Sequence, residues 1–235
     1  MDMEWLLLGL LKIIVINIVL SGDNAVVIAL ACKNLPPEQR KKAVFFGSFG
    51  AIVLRFVLTI AAVWLLQIPF VQLAGGILLL WIALKLMQGE AEGGKLEAST
   101  RLAKAIKTIM IADLVMSLDN VVAVAGAASG NYLLIALGLA VSIPLIIWGS
   151  RLLMTLMSRF PVIVIVGVAL LGYTSGEMIL KEKRLANITD ALPHAFHTII
   201  PLVLAVGIVL GGRLLQHYRQ MHESRTDAGT STPQR

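Results

Sequence analysis

Seven stretches of the chain, at residues 5–32, 43–66, 69–88, 105–128, 132–156, 161–180 and 196–215, are apolar almost throughout. Each has roughly the length of about 20 residues that a helix needs to cross hydrocarbon. With 57% hydrophobic and 14% charged residues, the chain cannot cover those runs with polar surface, which excludes a water-soluble domain. Inside a bilayer each backbone N–H and C=O must be satisfied within the protein, and the runs lack the alternation of barrel strands. The expected fold is therefore all-α, a polytopic membrane helix bundle with seven transmembrane helices. The first run lacks the basic start and cleavage site of a signal peptide and is read as a retained helix.

Within this apolar background one polar pattern occurs twice, as Ser21-Gly22-Asp23-Asn24 and as Ser117-Leu118-Asp119-Asn120, with the two aspartates 119 − 23 = 96 positions apart. The same offset pairs Asn17 with Asp113, Arg55 with Arg151 and Thr59 with Thr155; an offset of 92 pairs Pro69 with Pro161, Gly75 with Gly167 and Lys85 with Glu177. Polar residues are so scarce here that repeated matches indicate an internal duplication. The expected organisation is a first three-helix repeat over 1–88, a cytoplasmic linker over 89–102 and a second repeat over 103–180. An outer loop and seventh helix follow over 181–216, then a disordered cytoplasmic tail over 217–235. Three spans per repeat make the second repeat cross the membrane in the opposite sense, the inverted arrangement common in secondary transporters.

The net charge of +6 does not call for nucleic acid, because the charges lie on one side of this layout. Thirteen basic residues fall on the side of the 33–42, 95–107 and 159 connections and of the tail from Arg213, against Lys181, Lys183 and Arg184 opposite. That asymmetry places the N-terminus outside and the C-terminus in the cytoplasm. The single cysteine, Cys32, forms no internal disulfide and is read as a small buried hydrophobe.

Asp23, Asp113 and Asp119 lie within the spans and Glu177 nearer a membrane end. Three uncompensated central carboxylates would cost about 8–10 kcal/mol on the insertion scale, so counter-charges or a ligand must be present. One reading pairs them with Arg55 and Arg151 and needs no ligand. The other adds the amide oxygens of Asn24 and Asn120 and obtains a hard oxygen donor set suited to Mg²⁺, Ca²⁺ or Mn²⁺. In that reading Asp23, Asn24, Asp113, Asp119 and Asn120 bind the metal, while Arg55, Arg151, Asn17, Ser117 and Glu177 balance charge or gate. Asp113, Ser117 and Asn120 share a helical face, as do Asn17 and Asn24, but Asp23 and Asn24 are about 100° apart in a regular helix. Convergence of the whole set would need a local opening, for which Gly22 is placed and Leu118 is not. At the outer surface Asp190, His194 and His197 fall on one helical face, where a metal or plain solvent is a suitable neighbour. No phosphate loop, zinc-protease motif or nucleophile elbow occurs, so an enzyme is not expected and no prosthetic cofactor is called for.

The stretches Ser21 to Ala29, Asp113 to Val121 and Gly172-Tyr173-Thr174-Ser175-Gly176-Glu177 resemble those of the TerC family of integral membrane proteins. The resemblance implies manganese as the transported ion, since bacterial members are associated chiefly with Mn²⁺ efflux, and it places the family's membrane acids on Asp23, Asp113 and Asp119. The expected function is export of a divalent metal from the cytoplasm by alternating access, coupled to protons. The alternative is a membrane accessory protein of secretion or exoenzyme metallation that is not a free-standing transporter. Expected partners are the lipid bilayer and the divalent ion, with a second copy of the chain or the secretion machinery as further expectations. A membrane redox enzyme acting on tellurite is disfavoured by the single cysteine.

Overall fold

The computed structural model describes residue 11 and residues 22–65, 68–88, 98–128, 132–189 and 191–230. They form the helices α1 (Gly22–Cys32), α2 (Pro37–Leu65), α3 (Val71–Gln88), α4 (Ala98–Ala128), α5 (Tyr132–Arg159) and α6 (Val162–Leu180). A 3₁₀ turn over Lys183–Leu185 and the short α7 (Ala186–Thr189) lead to α8 (His194–Thr230). Among the described residues there is no strand, and five helices have segments long and apolar enough to cross a membrane, with α1 a shorter apolar helix.

Helix α1 is the innermost element, buried from Asn24 to Leu30 and in contact with each of α2 to α6. Around it α2 packs on α4 and α5, α3 on α4 and α6, and α8 on α6 and α3. The outer faces stay apolar. On α2 the stripe Phe45, Phe49, Val53, Val57 and Ile60 is exposed, as are Trp148 and Leu152 on α5 and Val203, Val206, Leu210 and Leu214 on α8. Water does not tolerate contiguous apolar stripes of this extent, and lipid does.

Small residues permit the closest helix contacts, as the Gly75-Gly76 pair predicts. A Cβ on Gly76 would lie 2.9 Å from the Ser175 carbonyl oxygen, and the Ser175 hydroxyl donates to the Gly76 carbonyl across the same contact. Gly176 sits against Pro201 in the same way, where a Cβ would come within 2.6 Å of the proline Cα.

Two sequence expectations change. Helix α4 begins at Ala98, inside the stretch assigned to the linker, and α8 continues to Thr230, well past His217 where the tail was expected to lose structure. No Gly or Pro interrupts residues 213–228, so the helix propagates beyond its last apolar turn. Low apolar content argues against packing and not against helicity. Residues 89–97, the remainder of the expected linker, lie outside the described residues.

Helix α3 is held at both ends by distant polar groups. Phe70 stands at its N-cap with φ of 62°, a left-handed conformation that a bulky side chain adopts only when its surroundings enforce it. The enforcing group is Glu182, 3% exposed, whose Oε2 accepts the N–H groups of Gln72 at 3.1 Å and Leu73 at 3.3 Å. At the other end Lys33 Nζ donates to the Leu86 carbonyl at 2.8 Å and Gln216 Nε2 to the Met87 carbonyl at 2.7 Å. The negative group meets the positive end of the helix dipole and the lysine meets the negative end.

Desolvation pushes the Glu182 carboxyl up, but the N–H groups of Arg184, Leu73, Phe70 and Gln72 outweigh it and hold the group below its ordinary value of 4.5. A carboxyl depressed on folding contributes stability above its unfolded value, and loses it as pH falls through the lower folded value. Thermal unfolding in detergent micelles should therefore show a fall in Tm on acidification from pH 7 to pH ~3 that Glu182→Gln reduces. An identical pH dependence in the variant would remove Glu182 as the cause.

Candidate functional site

The site is built where α2 crosses α4. Gly47 and Gly50 bring the two helices together: a Cβ on Gly47 would lie 2.8 Å from Ile109 Cδ1 and one on Gly50 2.9 Å from Met110 Sδ. Farther along the same helix, Arg55 reaches across. Its Nη2 lies 2.5 Å from Asp113 Oδ1 and its Nε donates to Ser117 Oγ at 2.9 Å. Ser117 Oγ is 3.4 Å from Asp113 Oδ2, which closes a triangle of three buried side chains. Asp113 and Ser117 lie one turn apart on α4, so the face expected from their spacing is the one presented to Arg55. Thr59 Oγ1 donates to the Arg55 carbonyl at 2.8 Å, one turn along α2.

From α1, Asn24 is buried and Asp23 half-buried. Asp23 Oδ1 accepts the Asn24 N–H at 2.8 Å, and the carboxylate lies within electrostatic reach of both Arg55 and Asp113. A Cβ on Gly22 would meet nothing within 4 Å among the described residues. Ser21 and Asn17 lie outside the described residues.

Between these helices is a small cavity of about 10 Å³ whose polar lining is Asn24, Ser48 and Asp113, with Val27, Ile28, Ala51, Ile52, Ile109 and Ile146 around them. That is the lower edge of the roughly 10–15 Å³ that a single water-sized species needs. Ser48 is 1% exposed and its Oγ has no hydrogen-bond partner among the described residues. Sequence reasoning missed it. The available signal was a lone hydroxyl between Gly47 and Gly50 in an apolar run, at a position where small residues mark a helix crossing.

The second copy of the motif is arranged differently. Helix α4 runs unbroken through Leu118, so Asp119 and Asn120 remain about 100° apart. Asn120 is half-buried, and the Asp119 side chain lies outside the described residues. Among the described residues no three His, Cys, Asp or Glu side chains gather as a metal would require. The described part of the site is thus Asp23, Asn24, Ser48, Arg55, Asp113 and Ser117.

Arg151 does not join it. Expected beside the central acids, it is instead exposed and lines an open groove with Arg40 and Lys41, because its register on α5 turns it toward the start of α2. Glu177 is half-buried on α6. The His194 and His197 rings lie 6.1 Å apart between centroids and are tilted by 55°, and the His197 Nε2 lies 3.2 Å from the Thr189 carbonyl oxygen. Asp190, their expected companion, lies outside the described residues. Lys85 stands over the Trp81 ring at 5.2 Å.

The sequence model of the TerC integral membrane protein family matches residues 3–222. The chain belongs to the TerC family of integral membrane proteins. Among relatives of this family member, membrane protein YjbE of Bacillus subtilis (strain 168) is 45% identical over 204 residues, covering 87% of this chain and 93% of its own. Inner membrane protein YgdQ of Escherichia coli (strain K12) is 28% identical over 197 residues, covering 76% of this chain and 81% of its own. Membrane protein YceF of Bacillus subtilis (strain 168) is 24% identical over 230 residues, covering 94% and 86%. No solved structure matches the chain. As an integral membrane protein of this family, the chain holds its buried polar triangle inside a lipid bilayer.

Removing one partner of a buried ion pair strands the other charge, which typically costs about 3–5 kcal/mol, whereas replacing both by apolar residues is close to neutral. Asp113→Leu alone should lower unfolding stability in micelles by about that amount, and Arg55→Met with Asp113→Leu should recover most of it. Additive losses in the double variant would show that the pair is not energetically coupled.

Proposed function

We propose that this TerC-family protein exports divalent manganese from the cytoplasm by alternating access of two inverted three-helix repeats. The reading rests on one observation: a buried carboxylate, Asp113, held beside a water-sized polar cavity by a single arginine. Asp23, Asp113 and Asp119 bring three negative charges, and among the described residues, with Arg151 facing elsewhere, Arg55 is the one arginine set against them, 3 − 1 = 2. The surplus equals the charge of a divalent cation. Carboxylate, amide and hydroxyl oxygens from Asp23, Asp113, Asn24 and Ser48 are hard donors of the kind that Mn²⁺ accepts, and the choice of manganese among such ions comes from the family resemblance.

In the described arrangement Arg55 neutralises Asp113. A cation entering the cavity takes over that role, and the guanidinium retains Ser117 as an acceptor. When the cation leaves, Arg55 returns, so the carboxylate is never left uncompensated in hydrocarbon. Asp23 forms no ion pair among the described residues and is the carboxylate proposed to carry a proton inward in exchange.

Inverted repeats are supported by the packing. Helix α2 lies on α4 as α5 lies on α1, and α3 on α4 as α6 on α1. Gly75 is approached by Val115 and Leu118 of α4, and its counterpart Gly167 by Val26 and Leu30 of α1. Thr59 and Thr155 each donate to the carbonyl of the arginine four residues earlier, at 2.8 and 3.0 Å. Seven spans, from the seven apolar runs, an external N-terminus, from the basic asymmetry of the loops, and a bacterial inner membrane, from the similarity to the inner membrane protein YgdQ, complete the proposal.

Mn²⁺-loaded proteoliposomes with an imposed pH gradient test it. Wild-type protein should release Mn²⁺, and Asp113→Asn and Asp23→Asn should each slow release at least about tenfold, the effect of about 1.4 kcal/mol. No flux from correctly folded wild-type protein would overturn export and favour the accessory role.

A further inference from the structure

At the other end of α2 lies an open groove of about 260 Å³, lined by Pro37, Arg40, Lys41, Val44, Arg151, Met154 and Thr155. Three of the lining residues are cationic and none is acidic. Val44 and Met154 are buried and form an apolar floor, while Lys41 and Arg151 are exposed at the rim. Arg40 is fixed in place: its Nη2 donates to the carbonyls of Lys33 at 3.1 Å and Leu35 at 3.2 Å, and its Nε is buried with no acceptor among the described residues. Among the described residues no carboxylate forms an ion pair with Arg40, Lys41 or Arg151.

The duplication accounts for a cation that has no ion pair here among the described residues. Arg55 and Arg151 occupy matching positions, and Arg55 is neutralised by Asp113. The position matching Asp113 in the other repeat is residue 17, an asparagine. One arginine therefore has an acidic counterpart in the sequence and the other has an amide. The groove lies within about two turns of the start of α2, at the level where a spanning helix enters the headgroup region. Next to it on α5, Trp148 is 67% and Leu152 47% exposed, which gives apolar surface beneath a charged rim.

We propose that this groove binds the headgroup of an anionic phospholipid, with the phosphate between Arg40, Lys41 and Arg151 and the acyl chains along Leu152 and Trp148. Basic pockets between transmembrane helices on the cytoplasmic side are suited to such headgroups. Assignment to the cytoplasmic leaflet rests on the orientation proposed above, whereas the site itself depends neither on that orientation nor on the transported ion.

The full chain in detergent, incubated with equimolar phosphatidylglycerol and phosphatidylcholine and analysed by native mass spectrometry, tests the proposal without any transport readout. Wild-type protein should retain phosphatidylglycerol preferentially. Arg151→Gln and Lys41→Gln should each weaken that preference about fivefold, the weight of one basic residue near an anionic lipid surface. Arg159→Gln, at the end of the same helix but outside the groove, should not change it. Equal retention of both lipids, or an equal loss in Arg159→Gln, would overturn the site. Thermal stabilisation by millimolar inorganic phosphate matching that by phosphatidylglycerol would instead mark a soluble-anion site and overturn the lipid. Unfolding curves in phosphatidylcholine alone establish that the variants remain folded.

Discussion

An arginine and an aspartate buried together among aliphatic side chains set the terms on which this bundle packs. Each ion alone in such surroundings costs several kcal/mol, and the pair is tolerable only with close geometry and further hydrogen bonds. Ser117 supplies one of those bonds. The requirement fixes α2 against α4, since sliding either helix would separate Arg55 from Asp113. It also accounts for Gly47 and Gly50, because a Cβ at either would displace the Ile109 and Met110 side chains that now fill the space. Packing and electrostatics here select the same register.

A second constraint acts through α3. With 18 residues the helix is about 27 Å long, close to the hydrocarbon thickness, so its unsatisfied ends lie near the two interfaces. Both ends are closed by side chains distant in sequence. Glu182 closes the first from 110 positions away, and Lys33 and Gln216 close the second from either side in sequence. The caps join the α6–α7 connection, the α1–α2 connection and α8 to one helix, and so tie both halves of the chain together.

The halves are similar in sequence and unequal in chemistry. Gly22 is matched by Leu118, Asp113 by Asn17, and a buried Arg55 by an exposed Arg151. A strict duplicate would place two ion pairs in the interior. This chain has one among its described residues, Arg55 with Asp113, and the second arginine, Arg151, is left at the surface beside Arg40 and Lys41.

Composition and periodicity by themselves determined an all-helical membrane protein, because apolar runs of spanning length admit no other solvent and no other backbone arrangement. The offset of 96 determined which polar residues correspond, and the shared face of Asp113 and Ser117 followed from the 3.6-residue turn alone. Which charges meet was not legible. Arg55 and Arg151 look equivalent along the chain, and only the azimuth at which α2 and α5 pack turned one inward and the other out. Ser48 and Glu182 were equally hidden, the first because a single hydroxyl in an apolar run carries no periodic signal, the second because its partners on α3 lie 109 and 110 positions away. Local pattern determines what a residue is able to do. Helix packing, which depends on residues far apart in sequence, decided which partners it does it with.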